Sequence, residues 1–96
     1  LFSIGHITET VFRYFNIDED SFNSSKRTRE VAQDRQIAMY LAKQHTKSPL
    51  AAIGAAIGGR NHATVLHSCK AVTNMIETDK VFKSQIEEIE KLILGK

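Results

Sequence analysis

Apolar residues recur at helical spacing along most of this chain, and that periodicity restricts the fold more than any other feature. Ile4, Ile7, Val11 and Phe15 follow one another at intervals of three or four residues, which is the spacing of one face of an α-helix. The same spacing returns in four later segments, and no segment alternates apolar and polar residues as a β-strand does. The pattern therefore predicts an all-α fold of about five to six helices.

Capping residues and glycines divide the pattern into separate helices. Asn61 and Thr78 can each start a helix, because short polar side chains accept hydrogen bonds from the free N–H groups of a first turn. Ser48 can cap a helix in which Pro49 takes the first position, and the glycines at 58–59 can end it in the left-handed conformation. The predicted helices span residues 4–15, 29–46, 49–57, 62–77 and 79–94, with a short turn at 18–22 and a polar loop at 23–25.

A length of 96 residues predicts a single domain, 1–96, with one hydrophobic core. No apolar run approaches the roughly 18 residues of a membrane span, and the first residues do not resemble a secretory signal. Because the chain begins with Leu1 rather than Met, we expect a fragment of a longer protein. The one cysteine, Cys69, cannot form an internal disulfide, which favours a reducing compartment such as the cytoplasm.

Charge is distributed unevenly along the chain. The net charge is −3 over residues 1–25, +4 over 26–47, +2 over 48–76 and −1 over 77–96. A basic middle segment suits a polyanion such as nucleic acid. It also suits a solvated face whose charge is balanced by acids from the two ends of the chain, so charge alone leaves both interpretations open.

The segment 49–77 has the outline of a helix-turn-helix, with a short helix, a glycine-containing turn and a second helix. Val65 and Cys69 belong to the apolar stripe of the second helix, whereas its first residues, 62–64, fall away from that stripe. Short side chains at the start of such a helix can reach base edges in a major groove. Helical hairpins are common, however, so the outline alone also allows a protein-interaction domain.

Enzyme and metal sites have little support in the sequence. No glycine-rich loop ends in Lys-Ser or Lys-Thr, so a nucleotide site of that class is absent. Cys69 falls on the inner stripe, where it is expected to be a core residue rather than a nucleophile. His62 and His67 stand five residues apart, on different sides of a helix, and no cysteine pair assists them. We expect no catalytic residue, metal ion or cofactor in this chain.

Two blocks of sequence resemble the DnaA family of bacterial chromosomal replication initiators. Residues 53–70 contain Gly-Gly-Arg-Asn-His-Ala-Thr-Val-Leu-His, and residues 26–43 contain Arg-Gln-Ile-Ala-Met. The blocks lie at the family's spacing, and the resemblance covers essentially the whole chain. It implies the C-terminal DNA-binding domain of an initiator, with a Trp repressor-like helix-turn-helix at about 49–77. Such a domain binds double-stranded origin boxes close to TTATCCACA and supports the initiation and regulation of replication.

The resemblance also implies which side chains meet the DNA. Arg27 would enter the minor groove at the A·T-rich end of the box. The residues implied to meet bases or phosphates at the start of the recognition helix are Asn61, His62, Ala63 and Thr64. Those implied to touch the backbone or nearby base edges are Arg35, Gln36, Lys43 and His67, while Leu50 and Ala51 would approach a strand from the short helix.

Three positions depart from the family's usual pattern. Asn61 stands where the family usually has Asp, and Ala63 stands where it usually has Thr. Aspartate only accepts hydrogen bonds whereas asparagine can also donate, and alanine keeps a methyl group but loses the hydroxyl. Ala51 replaces a proline found in some members. These departures leave the exact base preference open.

For the longer protein the resemblance implies an ATPase domain outside this fragment, with ATP as its cofactor and further initiator protomers as partners. It implies no membrane contact for the fragment and a place in the bacterial cytoplasm, associated with the nucleoid. The main alternative is a regulatory or protein-interaction helical domain whose basic middle binds an acidic partner. A standalone transcription factor is a third interpretation. Preference for a box-containing duplex over a scrambled one separates DNA readout from binding to an acidic protein.

Overall fold

The computed structural model describes residues 2–18, 20 and 29–95, and these residues form five α-helices without any strand. The all-α prediction is therefore confirmed for this part of the chain. Most of the predicted turn at 18–22 and the whole loop at 23–25 lie outside the described residues. Within the described ranges, no helix is long and apolar enough to cross a membrane. The helices are α1 (Ile4–Phe15), α2 (Arg29–His45), α3 (Leu50–Ala56), α4 (His62–Thr78) and α5 (Lys80–Ile93).

Side-chain caps define where α4 and α5 begin. Asn61 Oδ1 accepts a hydrogen bond from the Thr64 N–H at 2.9 Å, which confirms Asn61 as the cap of α4. The prediction that Thr78 caps the last helix is wrong, because Thr78 is the final residue of α4. Asp79 caps α5 instead, and its carboxylate accepts hydrogen bonds from two N–H groups of the first turn, at 3.0 and 3.1 Å. A carboxylate at this position is also favoured by the helix dipole.

The start of α3 differs from the prediction by one residue. Pro49 is the N-cap rather than the first helical residue, and no side chain caps the helix. Ser48 therefore does not cap α3, and its own N–H donates to Thr46 Oγ1 at 3.3 Å. After α3 the chain turns at Gly58 and Gly59, whose φ angles of 77° and 62° confirm the left-handed conformation expected of them.

All five helices contribute to one core, in which α2 and α4 are in extensive contact. Cys69 on α4 is 6% exposed, as its place on the inner stripe predicted, and its Sγ donates to the Met39 carbonyl at 3.9 Å. The helical spacing of Ala32, Gln36, Met39 and Lys43 predicts that these residues share an outward side of α2, and for Met39 this prediction is wrong. Met39 is only 2% exposed, because α4 covers α2 at this point.

Polar contacts tie α5 to the rest of the domain. His45 Nε2, at the end of α2, lies 2.9 Å from Glu90 Oε2, and the Tyr14 hydroxyl of α1 donates to Glu88 Oε1 at 3.1 Å. The four buried apolar residues of α5 complete the core beneath these contacts: Phe82, Ile86, Ile89 and Ile93. These contacts attach α5 to α2 and to α1.

Asp34 is expected to make stability depend on pH. It is 7% exposed on α2, and burial raises its pKa to about 6, with a further contribution from the charge of Glu30. An acid whose pKa is higher in the folded than in the unfolded chain stabilises the fold at low pH. That stabilisation is lost as the pH rises through about 4 to 6.

We therefore expect Asp34→Asn to raise the free energy of unfolding by about 1–2 kcal/mol at a pH of about 7.5 and to change it little at about 4. Urea denaturation of both proteins at the two pH values measures this. A variant less stable than the wild type at the higher pH would show that the carboxylate stabilises the fold in its charged form.

Candidate nucleic-acid interface

The turn between α3 and α4 is fixed by a close approach at Gly54. The Arg60 N–H donates to the Gly54 carbonyl at 2.7 Å, so the turn folds back onto α3. A Cβ atom on Gly54 would lie 2.1 Å from the Arg60 carbonyl oxygen, a distance that no side chain tolerates. Glycine at this position therefore allows the turn to close and determines where α4 begins. The pair α3 and α4, packed against each other, has the helix-turn-helix arrangement predicted from the sequence.

The first turn of α4 is exposed while the helix itself is anchored. Val65 is fully buried, and one turn later Cys69 is nearly so. The three side chains before Val65 face solvent, as does one between the two anchors: His62, Ala63, Thr64 and His67 are all exposed. A buried stripe that holds a helix, with short polar groups free at its start, is what reading base edges in a major groove requires.

The Asn61 side chain can cap α4 with one polar atom and contact a ligand with the other. Its Oδ1 is engaged with the Thr64 N–H at 2.9 Å. The amide nitrogen, with its two N–H donors, is then the group available to a ligand, because the side chain is exposed. This position presents a hydrogen-bond donor, whereas an aspartate capping in the same way would present an acceptor.

One flank of α4 forms a cavity with α2 that contains two arginines. The cavity has a volume of about 230 Å³ and brings together three of the residues singled out from the sequence: Arg35, Gln36 and Thr64. Arg60, Ser68, Ala32 and Met39 complete its lining. Arg35 is only 6% exposed, and burial lowers the pKa of its guanidinium, with the positive charge of Arg60 lowering it further.

Further cations lie on the other flank of α4. Lys43 of α2 and Lys70 of α4 line a second cavity of about 350 Å³, together with Leu66, Gln44, Cys69, Thr73 and Asn74. Positions 64 and 66 of one helix differ by about 200° around its axis, so the two cavities lie on different sides of α4. The exposed helix start therefore lies between two cationic edges, and residues 48–76 contain no acid to neutralise them.

Not every residue singled out from the sequence lies in this arrangement. Ala51 is exposed and Leu50 packs partly against the core, and neither lines the two cavities. Arg27 lies outside the described residues. The contacts of these three residues, like the DNA contacts of the others, stay predictions.

The site residues predicted from the sequence did not include Arg60 and Ser68, although the positions of both in the sequence indicated that they lie near the start of α4. Ser68 follows Thr64 by four residues and so shares its side of the helix, and Arg60 is a cation directly before the helix cap. What the sequence could not indicate is that α2 adds Arg35 to the same cavity.

The cysteine at this surface is disfavoured as a nucleophile. Burial raises the pKa of the Cys69 thiol, although the charge of Lys43 acts in the opposite direction, so the reactive thiolate is disfavoured. Across the described ranges, no three His, Cys, Asp or Glu side chains gather into a group that could hold a metal ion. The groups concentrated around α4 are hydrogen-bond donors and cations.

Comparison with known proteins also identifies a helix-turn-helix in this chain. Residues 4–72 match the family described as the bacterial dnaA protein helix-turn-helix. The chromosomal replication initiator protein DnaA of Flavobacterium psychrophilum is 49% identical over 89 residues, which are 93% of this chain and 19% of that protein. The DnaA proteins of Bacteroides thetaiotaomicron and Porphyromonas gingivalis are 44% and 45% identical, over 98% and 91% of this chain and 20% and 18% of their own lengths. The chain thus spans about a fifth of these relatives, and it belongs to the bacterial DnaA helix-turn-helix family.

Proposed function

We propose that this domain binds double-stranded DNA sequence-specifically at DnaA boxes of a replication origin and so supports the initiation and regulation of chromosome replication. The observation that carries the proposal is the exposed first turn of α4, held between a cavity containing Arg35 and Arg60 and a second one containing Lys43 and Lys70. The α4 helix enters the major groove, and the cations on its two flanks meet the phosphates at the groove edges.

Specificity and affinity come from different groups in this mechanism. His62, Thr64 and the amide of Asn61 read base edges, and the methyl group of Ala63 packs against bases. Lysines and arginines on phosphates release counterions and provide most of the affinity, which therefore decreases with salt. For Arg27 we propose insertion into a narrow A·T-rich minor groove, where the negative potential is strongest.

The remaining proposals concern the longer protein. Its relatives are named chromosomal replication initiators, and we propose the same role for the protein to which this domain belongs. ATP binding and hydrolysis, and assembly with further initiator protomers, belong in this proposal to segments outside the chain. We assign no catalytic step and no cofactor to the domain itself. Its proposed place is the bacterial cytoplasm, at the nucleoid.

A competition titration tests the function directly. Fluorescence anisotropy with a duplex containing TTATCCACA, against a scrambled duplex of equal composition, gives the specificity ratio at one fixed salt concentration. We expect the box to bind at least about 10³-fold more tightly. A ratio near one would contradict DNA readout and favour an acidic protein as the partner of the basic surface.

Restoring the usual family residues should change which base is preferred. Asn61→Asp keeps the cap of α4 but replaces the free amide donor with an acceptor, and Ala63→Thr adds a hydroxyl. For the double variant we expect preferences among single-base variants of the box to shift by about 1–3 kcal/mol at one or two positions, with little change in overall affinity. Titration against all single-base variants measures this. Unchanged ratios at every position would show that neither residue reads bases.

A further inference from the structure

A large apolar side chain is exposed on α4 beside the surface assigned to DNA. Four large apolar side chains are exposed in the described part of the chain; three of them lie on α5 or directly after it, and Leu66 lies on α4. Leu66 is 41% exposed, although its neighbour Val65 is fully buried. It follows His62 by four residues and therefore lies on nearly the same side of the helix, about 6 Å further along. An apolar group is thus left in solvent one helical turn from a residue assigned to base reading.

The surroundings of Leu66 combine positive charge with apolar surface. Leu66 lines the cavity of about 350 Å³ on this flank of α4, together with the exposed Lys43 and Lys70. Neither lysine belongs to an ion pair within the described ranges. The hydroxyl of Thr73, which also lines the cavity, donates to the Cys69 carbonyl at 2.8 Å and is therefore already engaged within the helix. A ligand that fits this flank offers an anion to the lysines and an apolar group to Leu66.

The edge of a major groove offers both kinds of group side by side. Thymine presents a C5-methyl group in the major groove, which cytosine lacks, and apolar side chains recognise it by contact. The methyl group stands at the outer edge of the base, close to the phosphates of its own strand. A leucine beside phosphate-binding lysines is therefore placed for a thymine methyl group rather than for the hydrogen-bonding atoms nearer the centre of the groove.

We propose that Leu66 is a specificity-determining residue, which packs against the C5-methyl group of one thymine in the box, next to phosphates that Lys43 and Lys70 bind. The proposal rests on the proposed function and deepens it, because it adds an apolar base contact to the readout by His62 and Thr64. Contact between the leucine and the methyl group removes apolar surface of both from water. Thymine is thereby favoured over cytosine at that position of the box.

Removal of one thymine methyl group at a time tests the contact. Each thymine in both strands of a duplex containing TTATCCACA is replaced in turn by deoxyuridine, which keeps every hydrogen-bonding group and lacks only the methyl. The wild type and Leu66→Ala are titrated by fluorescence anisotropy at one fixed salt concentration. At one thymine we expect the replacement to weaken wild-type binding about fourfold, the effect of one methyl group, and Leu66→Ala binding by less than about 1.5-fold. Leu66→Ala should bind the natural box about fourfold to tenfold more weakly than the wild type does.

Two further variants separate the contact from a structural role of the side chain. Leu66→Met keeps a long apolar side chain and should retain the wild-type sensitivity at that thymine. Leu92→Ala removes the same atoms from an exposed position of α5 and should leave the whole deoxyuridine profile unchanged. Thymines that Ala63 contacts should stay equally sensitive in the wild type and in Leu66→Ala. Thermal melting of each variant verifies that it is folded.

The outcomes for the contact and for the function are distinguishable. If the wild type prefers the box but shows no deoxyuridine effect, or if Leu66→Ala keeps every effect of the wild type, the contact is overturned and DNA binding stands. If the wild type binds the box and the scrambled duplex equally, no base has a fixed place and both proposals fail. Loss of sensitivity at one thymine in Leu66→Ala, with the other thymines unchanged, supports the assignment.

Discussion

Gly54→Ala is expected to destabilise the domain by about 3 kcal/mol or more, which corresponds to a melting temperature lower by roughly 12–20 °C. The added Cβ would meet the Arg60 carbonyl oxygen at 2.1 Å. Relief of this clash requires movement of the turn, and movement breaks the hydrogen bond from the Arg60 N–H to the Gly54 carbonyl. Because the same turn determines where α4 begins, box binding should be lost even at temperatures where the variant is still folded. Calorimetry and the box titration measure the two effects.

Gly5→Ala is the matched control. Its new Cβ would meet only the Ser3 Oγ, at an ordinary distance of 3.8 Å, and Gly5 lies in the helical part of α1. Alanine costs less conformational entropy in a helix, so we expect a gain of about 0.5 kcal/mol and unchanged DNA binding. A Gly54→Ala variant that melted within about 2 °C of the wild type would refute the close approach of α3 and the turn.

His62→Ala and Thr64→Ala are each expected to cost about 1–3 kcal/mol of binding free energy on the box and much less on a scrambled duplex. Both side chains are exposed in the first turn of α4, and the proposed function assigns them to base edges. The helix cap uses the backbone N–H of Thr64 rather than its side chain, so melting should hardly change. The readout is the ratio of the two affinities at fixed salt.

Thr78→Ala provides the comparison for Thr64→Ala. It removes the same atoms from the exposed last residue of α4, about 21 Å along the helix from Thr64. We expect no change in either affinity. Equal losses on the box and the scrambled duplex for His62→Ala and Thr64→Ala would contradict base reading and leave these residues as phosphate contacts.

The helical spacing of apolar residues predicted the helix bounds well where a capping residue stands directly before an apolar stripe. The bounds of α1, Ile4–Phe15, agree fully with the prediction. Asn61 was correctly identified as a cap because it stands directly before a stripe anchored by Val65 and Cys69. Ser48 and Thr78 were misassigned because several adjacent polar residues could cap in principle, and only the backbone conformation decides among them.

Tertiary contacts account for what the sequence could not predict. Met39 occupies a position on α2 that spacing alone places toward solvent, yet α4 covers it. Arg35 is 94% buried in a cavity that α2 shares with α4 and the turn before it. The exposed residues 62–64 were predictable because they precede the buried stripe of their own helix. The proximity of Arg35 to Arg60 was not predictable, because it depends on how α2 and the turn meet around Gly58.

Chemical-shift mapping with the box duplex shows whether the start of α4 lies against the DNA. The ¹⁵N-labelled domain is titrated with the duplex, and backbone amide shifts are followed residue by residue. We expect the largest changes at residues 60–67 and along residues 35–43 of α2, with the amides of α5 (Lys80–Ile93) unchanged. Largest changes on α5 or α1, with residues 62–64 unaffected, would contradict major-groove reading by the start of α4.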